Sequence, residues 1–95
     1  MRFKDRGTED LFHGRSTKAA RAVLPAVLEN VFRRKLDQLN TVTRLDQLRI
    51  PPSNRLEALK GNRAGQFSIR INERYRVCFR WIANEPTDVE IADYH

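Results

Sequence analysis

The chain closes on Asp93, Tyr94 and His95, which place a carboxylate, a phenol and an imidazole on consecutive residues. Free imidazole titrates near pH ~6.5, so at neutral pH it takes up and returns protons without a large shift. A positioned acid or base of this sort is typically worth about 10² to 10⁴ in rate. Upstream stand Lys60, Arg70 and Arg76, donors suited to holding negative charge as it builds on a reacting phosphorus. Metal-free RNA cleavage asks for these residue types: a group to deprotonate the 2′-hydroxyl, a group to protonate the departing 5′-oxygen, and cations for the extra charge. No His, Cys, Asp and Glu residues stand at metal-ligand spacing, so the reading assigns neither metal nor cofactor. A glycine-rich phosphate loop and a G-x-S-x-G elbow are both missing. Cys78 is the single cysteine, which excludes an internal disulfide. The other histidine, His13, falls near the end of a short helix and reads as a surface or capping residue.

Composition frames what can position such groups. The 95 residues read as one domain, 1–95, with 18 Lys plus Arg against 12 Asp plus Glu and a formal net charge of +6. Apolar residues at 40% suffice for a compact fold and argue against a disordered tail. No apolar run approaches the roughly 18 residues of a membrane span, and the N-terminus turns polar too early for a signal peptide. The expectation is therefore a cytoplasmic protein with no membrane contact. Four of the 18 cations are lysines, at 4, 18, 35 and 60. Arginine's planar fork matches phosphate oxygens in pairs, so an arginine-heavy chain leans toward nucleic acid, whereas basicity alone fits solvated surface charge equally well. Between 55 and 80 lie Arg55, Lys60, Arg63, Arg70, Arg74, Arg76 and Arg80 against Glu57 and Glu73. From Trp81 onward there are acids but no Lys or Arg.

The elements read as helices first and strands second. Arg2–Lys4 suits a short edge strand, and Thr8–His13 a short helix stopped by Gly14. Pro25 is placed like a first-turn proline of the clearest helix, with Leu28, Val31, Phe32, Leu36 and Leu39 at helical spacing. On its other face Arg33, Arg34 and Lys35 read first as a solvated surface, with RNA phosphates or an acidic partner as the alternative. Thr43 and Asp46 fit a capping box for a third short helix, ended by Pro51 and Pro52. Beyond the prolines the period changes to two. Phe67, Ile69 and Ile71 alternate with polar residues, as do Tyr75, Val77, Phe79 and Trp81, with Asn72–Arg74 as a hairpin turn. Val89 and Ile91 mark a further strand after the turn residues 83–86, and 55–60 an additional one. The expected fold is α+β, N-terminal helices on one face of a twisted, mainly antiparallel sheet. The opposite face then gathers Ser68, Arg70, Arg76 and Arg80, which await either an anion such as RNA or ion pairs with Glu57, Glu73 or Glu90.

The run Pro52–Arg63 with its Leu59-Lys60-Gly61 step, the segment Gly65–Asn72, the strand Tyr75-Arg76-Val77-Cys78-Phe79 and the closing Asp93-Tyr94-His95 together resemble the HigB toxins. These are plasmid-maintenance proteins of bacterial type II toxin–antitoxin systems, a branch of the RelE-like superfamily. The resemblance implies a ribosome-dependent mRNA endonuclease that cuts mRNA in the A site of the 70S ribosome. It also implies a HigA-type helix-turn-helix antitoxin, with operator DNA contacted only through the antitoxin complex. Carried over residue by residue, Lys60, Arg76, Asp93, Tyr94 and His95 match positions tied to RNA binding or cleavage; Arg63 and Arg80, from the basic segment 55–80, are expected as further RNA-binding residues. Some relatives carry an active-site arginine where this chain has Asn72; Arg70, two residues earlier on the same face, is the substitute. The alternative function is a non-cleaving RelE-fold toxin that binds the ribosome or DNA gyrase. A DNA-binding regulator fits poorly, since no helix-turn-helix is visible.

Overall fold

The structure, a computed structural model, describes residues 1–93; Tyr94 and His95 lie outside the described residues. Asp5 starts α1 (Arg6–Phe12) by accepting a 2.7 Å hydrogen bond from the Thr8 backbone N–H. Gly14 follows at φ +73°, a left-handed conformation that glycine adopts without a Cβ penalty. The sequence pattern does not announce α2 (Lys18–Val23), whose six residues are too few to display an apolar stripe. It is fixed by its cap: Thr17 Oγ1 accepts from the Ala20 N–H at 3.1 Å. The same hydroxyl donates to buried Asp10 at 2.7 Å, which ties α2 to α1.

Pro25 precedes a 3-10 turn, Ala26–Leu28, that runs into α3 (Glu29–Thr41), so the regular helix begins four residues later than proline placement suggests. Phe32, Leu36 and Leu39 are fully buried, at the i, i+4, i+7 spacing of one helix face. The next 3-10 turn, Leu45–Arg49, is capped by Gln47 rather than by a Thr43–Asp46 box. Gln47 Oε1 accepts from the backbone N–H groups of Thr43 (2.8 Å) and Arg44 (3.1 Å), while Asp46 pairs with the Arg44 side chain. The longer amide reaches both donors, leaving the aspartate to its cationic neighbour.

The chain then forms a four-stranded antiparallel sheet in sequential order: β1 (Glu57–Ala58), β2 (Phe67–Arg70), β3 (Tyr75–Ile82) and β4 (Glu85–Asp93). Phe3 adds a parallel bridge to Val89, fulfilling the expected N-terminal edge segment. Ala83 and Asn84, both at positive φ, make the β3–β4 turn, so β4 starts at Glu85 and takes Pro86 into the ladder opposite Trp81. Ile69, Val77, Phe79 and Val89 pack against Leu11, Leu24, Phe32, Leu36 and Leu39 from the helices. This is the α+β arrangement that the change of period anticipates.

Candidate active site

Register decides which side chains share the sheet's other face. Cross-strand partners form two rows: Glu57, Ser68, Cys78 and Glu90, then Arg70, Arg76 and Ala92. Arg70 and Arg76 are thus directly opposed on neighbouring strands, where like charges repel unless something anionic lies between or above them.

Each arginine is placed by local chemistry. Arg70 ends β2 just before the turn to β3, which Asn72 builds: its amide oxygen accepts from the N–H groups of Arg74 (2.9 Å) and Tyr75 (2.8 Å). Asn72 therefore serves the turn, and the guanidinium at this strand end belongs to Arg70. Arg76 is anchored by two of its donors. Nε donates to the hydroxyl of fully buried Ser68 at 2.7 Å, and Nη2 donates to the Arg55 carbonyl at 2.6 Å. Arg55 sits in a left-handed conformation (φ 45°, ψ 55°) at the end of the 3-10 turn Pro52–Asn54. A non-glycine residue rarely adopts that geometry; here it bends the chain at the residue whose carbonyl holds Arg76.

Arg55, Arg70 and Arg76 line a basin of about 370 Å³ together with Glu57, Asn72 and Glu73. Among the described residues, neither glutamate forms an ion pair with them and Arg70 has no hydrogen-bonded or ionic partner. Guanidinium groups preset on a sheet can grip a phosphodiester, and a carboxylate beside them can accept a proton. The sequence places Arg55 at the start of a strand over 55–60 and not among the site residues; the strand begins only at Glu57, and Arg55 instead occupies the left-handed turn before it.

The remaining expected residues divide. Arg63 donates to Glu90 at 2.7 Å and Lys4 reaches the same carboxylate at 3.2 Å. Burial alone would raise the Glu90 carboxyl; the hydrogen bonds and charges of Arg63 and Lys4 outweigh it and hold Glu90 below the usual range. Arg80 lies within 3.6 Å of Asp88 and crosses Gly65, where a Cβ would meet its guanidinium at 2.9 Å. Lys60 is exposed and precedes the turn Gly61–Arg63. From the Leu59–Gln66 hydrogen bond to Arg70 is four residues of β2 and its lead-in, about 13 Å of strand. Lys60 and Arg80 therefore stand toward one end of the sheet and Arg70 and Arg76 at the other, while Arg63 reaches Glu90, one row from Arg76.

Asp93 is the end of β4, opposite Tyr75, beside the arginine row but on the helix-facing side by strand alternation. Its carboxylate accepts a fork from Arg74, Nε and Nη2 each at 2.8 Å. The calls on Tyr94 and His95 lie outside the described residues. His13 is the exposed cap residue after α1, in ring contact with Phe3 and Phe12. Among the described residues no three His, Cys, Asp or Glu side chains are grouped to hold a metal ion, and no helix is long and apolar enough to cross a membrane.

Helices packed on a short four-stranded antiparallel sheet are consistent with the small α+β RelE-like fold. The fold is similar to that of a YoeB/ParE toxin from Agrobacterium tumefaciens, with a TM-score of 0.50 at 20% identity, over 100% of this chain and 99% of that one. Sequence carries the assignment further: residues 1–95 match the family described as the RelE-like toxin of type II toxin–antitoxin system HigB. The chain is 40% identical over 82 residues to Toxin HigB-1 of Vibrio cholerae, covering 86% of this chain and 83% of that protein. An uncharacterized Haemophilus influenzae protein is 37% identical over 62 residues, 65% of this chain and 61% of that protein. This chain belongs to the HigB-like toxin family, and as such is the toxin of a type II system that pairs with an antitoxin.

Proposed function

We propose that this toxin is a ribosome-dependent endoribonuclease that cuts mRNA in the A site and so stops translation. The observation that carries the reading is the directly opposed Arg70–Arg76 pair, in which Ser68 and the Arg55 carbonyl anchor Arg76 and, among the described residues, no carboxylate is bonded to either guanidinium. Such a pair is suited to a phosphate whose charge increases as the 2′-oxygen attacks. His95 and Asp93 supply proton transfer, and Tyr94 stacks on or orients a base. Lys60, at the far end of the sheet, grips the RNA backbone beyond the scissile link, with Arg63 and Arg80 extending the basic track. The partners are the 70S ribosome with its mRNA and a HigA-type helix-turn-helix antitoxin, which carries the pair to operator DNA.

The test is primer extension on mRNA from translating ribosomes supplied with the purified toxin. New 5′ ends are expected with the unaltered chain and are expected to fall about 10²-fold or more in rate for His95→Gln, with ribosome association retained. Growth inhibition without new 5′ ends identifies a non-cleaving binder and overturns the nuclease reading.

A further inference from the structure

The arginine basin has a neighbour on the helix side. Around the strand end opens a cleft of about 580 Å³ between α3, the chain at Pro51–Arg55 and the residues after β2, within the roughly 300–1,000 Å³ typical of small-ligand sites. Arg34, Lys35, Arg55 and Arg70 line it, with no carboxylate among the described lining residues, over apolar surface from Val31 and Ile71. Lys35 is half-buried, and its ammonium donates to the side-chain oxygen of fully buried Asn54, which is itself held by donating to the Leu48 carbonyl at 3.0 Å. Burial, then the charge of Arg34, push the Lys35 ammonium below its usual range, the condition of a cation that lacks an anion. Arg55 and Arg70 are walls of both the cleft and the basin, so the two are continuous.

We propose that this cleft is a second RNA subsite, taking a nucleotide that flanks the scissile link, with Arg34 and Lys35 on its phosphates and Val31 and Ile71 beneath its base. Three features select a nucleic-acid strand as occupant. The cations run without interruption from Arg34 and Lys35 through Arg55 and Arg70 to Arg76, a path that suits regularly spaced anions. Two of the shared walls are guanidinium forks, which match phosphate oxygens in pairs. The apolar surface between the cations suits the face of a base, the combination by which proteins hold single strands. The subsite rests on the nuclease reading for its direction, yet it is testable apart from cleavage.

The probe is a fluorescent 2′-O-methyl oligoribonucleotide hexamer, which lacks the 2′-hydroxyl nucleophile and so reports binding alone. Anisotropy titrations across a salt series give the slope of log K against log salt, which loses about 0.7 for each single-strand phosphate contact removed. Arg34→Gln, an exposed substitution, is expected to lower the slope by about 0.7 and Arg34→Gln/Lys35→Gln by about 1.4. Arg21→Gln, an exposed cation of α2, is expected to leave it unchanged. Wild-type slope and affinity in both cleft variants overturn the proposal, as does failure of the unaltered chain to bind the hexamer. Competition by a glutamate decapeptide that depends on Arg34 and Lys35 while hexamer binding does not makes the cleft a peptide groove and equally overturns it. A chain that binds the hexamer through these residues but generates no new mRNA ends sinks the nuclease reading and leaves the subsite standing.

Discussion

Arg76→Lys keeps the positive charge and removes the fork, which makes it a sharp test of how the site is built. A guanidinium offers five N–H donors; in this structure one is spent on Ser68 Oγ at 2.7 Å and one on the Arg55 carbonyl at 2.6 Å. Three donors remain for a phosphate, already aimed by the two anchors. A lysine ammonium carries all its donors on one atom and cannot hold both anchors and a phosphate in the same geometry. Loss of a preset donor to the developing charge is expected to cost about 10² to 10³ in the rate of mRNA cleavage on the ribosome. Ser68, fully buried, also loses its partner, which is expected to cost about 1–3 kcal/mol in urea unfolding. Ser68→Ala separates the two effects, because it frees Nε without altering the charge and should cost less cleavage than Arg76→Lys. Undiminished cleavage by Arg76→Lys refutes the reasoning. A raised KM with unchanged kcat assigns Arg76 to ground-state binding instead.

Asn54→Ala removes the amide that donates to the Leu48 carbonyl (3.0 Å) and to Gln38 (2.9 Å) and accepts from Lys35. The loss is expected to be about 2–3 kcal/mol by denaturant midpoint. Because Glu90 titrates below its ordinary 4.5 in the folded chain, it contributes stability that is present above the unfolded value and lost as pH falls through the folded one. Glu90→Gln should therefore flatten the acid limb of a stability–pH curve; an unchanged limb contradicts the assigned network. Gly7→Ala, ordinarily a gain of about 1 kcal/mol in a helix, should here destabilise, because the new Cβ meets the Ala19 carbonyl oxygen at 2.5 Å. Thermal unfolding checks the sign. If Asp93 acts chiefly by tethering the end of β4 through Arg74, then Arg74→Gln and Asp93→Asn should lower cleavage to similar extents, and the double variant little further. A large loss confined to Asp93→Asn, with an altered pH–rate profile, assigns Asp93 to proton transfer.

The strands were legible because the period of two runs without interruption from Phe67 to Arg70 and from Tyr75 to Trp81, and register follows once one face is apolar. The opposed arginines follow from that register. The α2 helix was not legible, since its stability lies in the Thr17 cap and the Asp10 hydrogen bond rather than in any stripe. Nor was Arg55, whose placement depends on a left-handed backbone that composition does not encode. The Arg33–Lys35 triplet reads as an outer face on a helical wheel, yet Lys35 points at Asn54 and lines the cleft. A wheel describes one helix, whereas the segment covering it arrives from residues 51–55, nearly 20 positions away.

Sequence alone leaves open whether the arginine face is neutralised by its own acids, and the placement of those acids explains why it stays available. Glu90 stands in the row next to Arg76, as does Glu57, but it is taken by Arg63 and Lys4. Asp88 answers Arg80, Asp93 answers Arg74, and Asp10 answers Arg15 and Thr17. Glu57 and Glu73 share the basin without closing on a guanidinium. These pairings leave, among the described residues, no carboxylate bonded to Arg70 or Arg76. A cross-strand like-charge pair costs roughly 0.2–1 kcal/mol, a penalty that a phosphate placed between the two guanidinium groups would relieve.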